Sequence, residues 1–285
     1  MTAPFAEHGL WTPAGDGPAR TYVVLPDARL PRLLVDARDA RSARRLLAIA
    51  RGGTSGPARR LLMSGAISLL STVRARAWTV RVTGGPDSLE ALVERALGER
   101  GLRFAWMFGP PRANRKPVGI VIGPDARVRA YVKVGVNPLT SALVRGETEC
   151  LRRLGPEVGV VLVPRVSFAE TWRGRPVLGL HPLDADGGVI PAATLQRAEL
   201  DVARAAGTTR APLASTDFWR RLTGSIAAAE DDPRWAPLER CVAAIEARHG
   251  HTEIVLGSWH GDWTAHNVSA AGDRVAVWDW ERFTT

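Results

Sequence analysis

The chain reads as an α+β fold because its strand-like and helix-like segments fall into blocks. Three apolar, β-rich runs, Arg103 to Phe108, Val118 to Ile122 and Val128 to Val134, lie between two helical stretches, and further strands follow. Past Asp184 the pattern turns to helices. The order is helix, three strands, helix, two or more strands, then helices, with short hairpin connections between the strands.

Ahead of this block, residues 1–86 predict a small α/β module. Tyr22 to Leu25 and Leu33 to Val35 read as strands around a turn at Pro26-Asp27. Arginine-rich helical stretches at 39–50 and 57–70 are separated by Gly52-Gly53-Thr54-Ser55-Gly56, and Ala77 to Val82 reads as a strand. Gly84-Gly85-Pro86 then breaks the pattern and marks a boundary. Asp87 is suited to cap the next helix, with Glu90 at the capping-box position and Leu89, Leu92, Val93 and Leu97 as its apolar stripe.

The loop Gly109 to Pro117 joins the first two strands, and Gly123-Pro124-Asp125 joins the next pair. A helix from Pro138 to Leu154 has proline in its first turn, where the missing N–H costs nothing. Val160 to Val163, Arg165 to Glu170 and Pro176 to Leu180 read as strands. Phe218, Trp219, Leu222 and Ile226 share one helical face, and Trp235, Leu238, Val242 and Ile245 share another. Ile254 to Leu256 is a short strand. These breaks divide the chain into 1–86, 87–183 and 184–285.

Composition is that of a soluble globular protein, 45% hydrophobic and 24% charged. The longest apolar run, Leu61 to Val73, is interrupted by Ser64, Gly65, Ser68 and Ser71 and falls short of the roughly 18 residues that span a bilayer. The N-terminus lacks the basic start and apolar run of a signal peptide. Cys150 and Cys241 have no metal-like spacing and read as reduced core residues of a cytoplasmic protein.

Of 38 basic residues only two, Lys116 and Lys133, are lysine. The arginine bias reads as base composition, so the net charge of +9 does not by itself point to nucleic acid. Arg38, Arg41, Arg44, Arg45, Arg51, Arg59 and Arg60 form a local cluster, either a solvated pair of helix faces or a docking site for an anionic partner. Because a compact ammonium serves a phosphate differently from a guanidinium, the positions of the two lysines matter.

The chemistry concentrates in the closing run HGDWTAHNVSAAGDRVAVWDW. Val268 to Ala270 and Arg274 to Trp278 read as a hairpin turning at Gly272-Asp273. That register sets Asn267 opposite Trp278 and beside Asp279. Asn267 and Asp279 thus become a pair of hard oxygen ligands for Mg²⁺ at one open end. Asp262, on the preceding loop, projects into the same space as a candidate base. His260 reads as a brace for this loop. A metal cluster of His249, His251 and His260 is disfavoured, since no further carboxylate stands at ligand spacing. Trp259, Trp263, Trp278 and Trp280 crowd the segment, mostly as packing residues, and Trp263 could face a substrate.

Lys133 and Glu147 form a second constellation. Leu139, Leu143, Glu147, Leu151 and Leu154 are spaced four, four, four and three, which places Glu147 inside an apolar stripe where a bare carboxylate is costly. Lys133, at the end of a strand, is the nearest counter-cation and could also reach nucleotide phosphates. Glu149 lies off the stripe. The loop Gly109 to Pro117 carries no glycine-rich phosphate motif; Arg112, Asn114, Arg115 and Lys116 could offer donors, or form an ordinary hairpin tip.

His260-Gly261-Asp262, four residues, Asn267, then Trp278-Asp279-Trp280-Glu281 resembles the aminoglycoside phosphotransferase and choline-kinase-like family, over about residues 87–285. The resemblance implies a protein-kinase-like bilobal fold with a truncated helical C-lobe, preceded by the α/β module. It implies Asp262 as catalytic base, Asn267 and Asp279 as Mg²⁺ ligands, Lys133 as the lysine on the ATP phosphates, Glu147 as its helix partner, and Leu178 to Leu183 as the adenine-holding hinge. Family members continue past the Asp-Trp pair into helices that build the acceptor pocket. The expected activity is ATP- and Mg²⁺-dependent transfer to a hydroxyl of a small molecule, with a non-catalytic nucleotide-binding scaffold as the rival. Histidine-glycine-aspartate in place of histidine-arginine-aspartate argues against a protein kinase.

Overall fold

The computed structural model describes residues 10, 18–25, 32–36, 38, 40–50, 79–109, 112–228 and 235–284. The expected turn at Pro26-Asp27, the stretch 51–78 with Arg51, Arg59, Arg60 and the start of the expected strand at Ala77, and Pro110-Pro111 lie outside them. In chain order the elements are β1 (Ala19–Leu25), β2 (Leu33–Asp36), α1 (Ala40–Ala50), β3 (Thr79–Thr83), α2 (Leu89–Leu97), β4 (Arg103–Phe108), β5 (Pro117–Ile122), β6 (Val128–Val134) and α3 (Pro138–Leu154). There follow β7 (Glu157–Val158), β8 (Val161–Leu162), β9 (Val166–Trp172), β10 (Arg175–Leu180), α4 (Ala192–Arg204), β11 (Thr209–Pro212), α5 (Asp217–Ala227), α6 (Ala236–His249), β12 (Glu253–Leu256), β13 (Val268–Ala271) and β14 (Arg274–Val277).

The largest sheet has eight antiparallel strands in the order β3-β1-β2-β4-β5-β6-β10-β9. Strands from residues 1–86 therefore continue the sheet that residues 87–183 build. They share its core as well: Tyr22, Leu34 and Val82 pack with Phe104, Trp106 and Val132 beneath α2. The alternation of side chains along β6 sends Ala130, Val132 and Val134 to that face and Tyr131 and Lys133 to the other. On the Lys133 face, α1 packs through Leu46 near Ala105, Ile120 and Ile122.

Helix α2 begins one residue later than expected. Ser88, not Asp87, is its N-cap, and its hydroxyl accepts from the Ala91 N–H at 3.2 Å. With that cap Leu89, Leu92 and Val93 point to the sheet, and Glu90 is carried inward, where it accepts the Tyr22 hydroxyl at 2.7 Å. Helix α3 is capped reciprocally by Asn137 and Thr140, with Pro138 in the first turn.

The buried row of α3 differs from the expected stripe. Thr140, Val144, Glu147, Thr148 and Leu151 are buried, whereas Leu139 is 47% exposed. The buried row thus steps from Thr140 to Val144, Glu147 and Leu151, at spacings of four, three and four, rather than along the leucine row from Leu139. Glu147 remains on the inner face and Glu149 on the outer one.

A second layer is the sheet β13-β14-β8-β7, in which β14 pairs parallel to β8. Its core joins Val275, Val277 and Trp280 to Leu151 of α3 and to Ala198 and Val202 of α4. Beyond it α5 and α6 keep less of their apolar faces inside than the periodicity suggests. Trp219 and Ile226 are buried, but Phe218, Leu222, Trp235, Leu238 and Ile245 are exposed, and α6 buries no residue. Cys150 is buried, while Cys241 on α6 is exposed, contrary to its reading as core. No helix among the described residues is long and apolar enough to cross a membrane.

Candidate active site

The site is assembled by the β13–β14 hairpin. Ala271 pairs with Arg274 across Gly272-Asp273, and Gly272 supplies the positive φ of 65° that the tight turn requires. Val268 faces Val277, so the next pair outward is Asn267 and Trp278, where the Trp278 N–H donates to the Asn267 carbonyl at 3.1 Å. Asp279 follows with φ 70° and ψ 53°, a left-handed conformation that costs a non-glycine residue about 1 kcal/mol or more. This backbone reversal turns its carboxylate toward β6 and α3.

There it meets Lys133. The Lys133 Nζ lies 2.7 Å from each Glu147 oxygen and 2.6 Å from Asp279 Oδ1. Glu147 also accepts the Trp280 N–H at 3.2 Å, which ties α3 to the turn after the hairpin. The second lysine converges on the same place. Lys116, at the end of the β4–β5 loop, has Nζ 3.7 Å from Asp279 Oδ1 and pairs closely with Glu281. Both lysines of the chain therefore stand on one carboxylate cluster.

Electrostatics follow from this packing. Burial by itself would lower the Lys133 pKa, but Glu147 and Asp279 outweigh it and hold the ammonium above its ordinary range. Burial would raise Asp279, but Lys133 and Lys116 together hold it down at about 2. For Glu147, fully inside, burial dominates and pushes the pKa up against the pull of Lys133.

Asp262 and Asn267 form a neighbouring pair. The Asn267 Nδ2 donates to Asp262 Oδ2 and to the Asp262 carbonyl, each at 3.0 Å. One carboxylate oxygen is thus held and the side chain is fixed in direction. Gly261 has φ 82°, and a Cβ there would lie 2.5 Å from the Arg282 carbonyl oxygen, so the loop approaches the following turn as only glycine can. His260 is fully buried, accepts the Asp262 N–H on Nδ1 at 3.3 Å, and stacks edge-on with Trp280 at 4.7 Å. Burial lowers its pKa, so it braces the loop as a neutral ring.

The residues expected from sequence are distributed over these two groups: Lys133, Glu147 and Asp279 in one, Asp262 and Asn267 in the other. Asn267 is joined to the Asp279 segment through the backbone of Trp278. Two members had no assigned place in the site: Lys116, read only as one of four possible donors on its loop, and Glu281. The signal for the first was the scarcity of lysine; for the second, its place two residues after Asp279. Of the tryptophans, Trp280 is buried, Trp263 half-buried against His260, and Trp259 is 64% exposed. His249, His251 and His260 do not gather.

Oxygen atoms of Glu147, Asp279 and Glu281 lie within 4.8 Å of one another, the one such group among the described residues. Carboxylate oxygens at this spacing suit a hard divalent cation such as Mg²⁺.

No family model and no curated protein matches the chain. A solved structure of a candidate fructosamine-3-kinase from Haemophilus somnus 129PT is similar at a TM-score of 0.43 and 13% identity, over 65% of this chain and 70% of that one. A likeness of that size carries no functional weight, and the site stands on its own geometry.

Proposed function

We propose that the chain is an ATP- and Mg²⁺-dependent phosphotransferase of protein-kinase-like bilobal build, acting on a hydroxyl of a small molecule such as a sugar, an aminoglycoside or an amino alcohol. In this reading residues 87–183 form the first lobe and hinge, residues 184–285 belong to the second lobe, and residues 1–86 are an extension of the first. The observation that carries it is the convergence of Lys133, Glu147 and Asp279, from three separate segments, beside a fixed Asp262–Asn267 pair.

Asp262 accepts the proton of the acceptor hydroxyl as its oxygen bonds to the γ-phosphorus and the bond to the β-phosphate oxygen breaks, releasing ADP. Asn267 keeps that carboxylate aimed. Lys133, held by Glu147, positions the nucleotide phosphates. Asp279 and Asn267 would hold Mg²⁺, which supplies charge neutralisation at the transferred group.

A coupled assay for ADP release over a panel of hydroxyl compounds tests this. Asp262→Asn is expected to lower turnover about 10²- to 10⁴-fold while leaving Mg²⁺-dependent ATP binding in place. Unchanged turnover in Asp262→Asn sinks the proposal.

One observation favours a non-catalytic scaffold instead. Leu46 of α1 packs with Ile120 and borders Tyr131 on the face that carries Lys133, where a base would approach. The absence of both ATP stabilisation in the presence of Mg²⁺ and turnover on any acceptor would support that reading.

A further inference from the structure

We infer that Lys116 is a second phosphate-positioning lysine, stored on Asp279 and Glu281 and exchanged for the divalent cation when nucleotide binds. The inference rests on the phosphotransferase reading for its nucleotide half. Its structural half stands on where the two lysines lie.

Lys116 and Glu281 are 165 residues apart, and their side chains are 9% and 4% exposed. The pair therefore clasps the β4–β5 loop to the turn that bears Asp279. The middle of the same loop is tied elsewhere by the Asn137 amide, which donates to the Ala113 carbonyl at 3.1 Å. Lys116 also stands 3.7 Å from Asp279 Oδ1, the oxygen that Lys133 meets at 2.6 Å. A cation settling on Asp279 meets both ammonium groups at close range, and like charges at such distances repel strongly in a half-buried site.

Lys133 is anchored by both oxygens of Glu147, so it has little freedom to leave. Lys116 is carried by a loop and has the freer path. Once displaced, its ammonium would be free to pair with a phosphate oxygen held at the cluster. A compact ammonium on a flexible stem suits such an exchange better than a planar guanidinium, in a chain that otherwise uses arginine throughout.

The test reads two affinities in the full chain: Mn²⁺ alone by electron paramagnetic resonance, and ATP at saturating Mg²⁺ by calorimetry. Lys116→Met is expected to tighten Mn²⁺ about tenfold, by removing repulsion, and to weaken ATP about tenfold, by removing a phosphate donor. Lys116→Arg keeps the charge and is expected to leave Mn²⁺ affinity within about twofold of the parent. Since Lys116→Met leaves Glu281 buried without its counter-ion, the same comparison is made between Glu281→Gln and the double variant Lys116→Met/Glu281→Gln, and the same opposed changes are expected.

Mn²⁺ and ATP both weakening would mark Lys116 as structural support and overturn the exchange. So would no change in either, or a tightening of Mn²⁺ in Lys116→Arg. If the parent chain binds Mn²⁺ but no ATP, the phosphotransferase reading fails, and with it the phosphate-positioning role of Lys116.

Discussion

Two buried charge networks in this protein are built from different cations and do different work. Under the N-terminal strands, Arg38 Nε contacts both oxygens of the fully buried Asp36 at 2.9 Å, and Arg20 reaches Glu94 at 3.1 Å. Tyr22 donates to Glu90 beside them. At the candidate active site the cations are the chain's two lysines, and three carboxylates share them. The arginine network uses planar forks matched to carboxylates and to the Leu102 carbonyl, so each donor has a fixed partner. The lysine cluster holds point charges on flexible stems, with one carboxylate, Asp279, touched by both. The first is a joint between sheet and helix. The second can change partners.

The sharpest test of this contrast is Lys133→Met. It leaves Glu147 buried beside Asp279 without its main counter-ion, and the loss is expected to be about 3–5 kcal/mol by urea denaturation. Arg38→Met, where the side chain is 34% exposed and Arg20 remains 4.0 Å from Asp36 as a second cation, is expected to cost less. If the two cost the same, the lysine cluster is no more tightly wired than the joint.

The pH limbs separate the networks next. Asp279 is held down from an ordinary 3.8 to about 2, so its contribution to stability is present above about pH 4 and is lost as pH falls toward 2. Tyr22 is pushed well above its ordinary 10 by burial and by Glu90. As pH climbs past 10 the unfolded chain gives up that proton while the folded one keeps it, so stability falls on the alkaline side. Asp279→Asn should flatten the acid limb and leave the alkaline one, and Tyr22→Phe should do the reverse; denaturation midpoints across both ranges check it. The smallest effect is Tyr22→Phe at pH 7, about 1 kcal/mol for the lost hydrogen bond.

Much of the local structure was legible. The β13–β14 hairpin could be placed to the residue because a two-residue turn and a period of two leave one register. Glu147 could be found because a carboxylate inside an apolar stripe is anomalous. Locally ambiguous choices were not legible in the same way. Asp87 and Ser88 are both good caps, and only the packing of Leu89 and Val93 on the sheet selects Ser88. Leu139 fits the helical period yet lies outside, because the buried row is set by what the helix packs against. The apolar faces of α5 and α6 obey periodicity, but exposure depends on what covers them.

From its sequence alone the protein determined the strands β4 to β6, β9 and β10, its final hairpin and the lysine, amide and carboxylate residues of the candidate site, since these rest on side-chain alternation, turn conformation and donor type within a few positions. Only the tertiary structure decided that β1 to β3 extend the same sheet, that α1 covers the Lys133 face, and that Lys116 meets Glu281. Those contacts join segments tens to more than a hundred residues apart. Their partners are chosen by which surfaces the whole chain leaves to be buried together, and no local pattern records that choice.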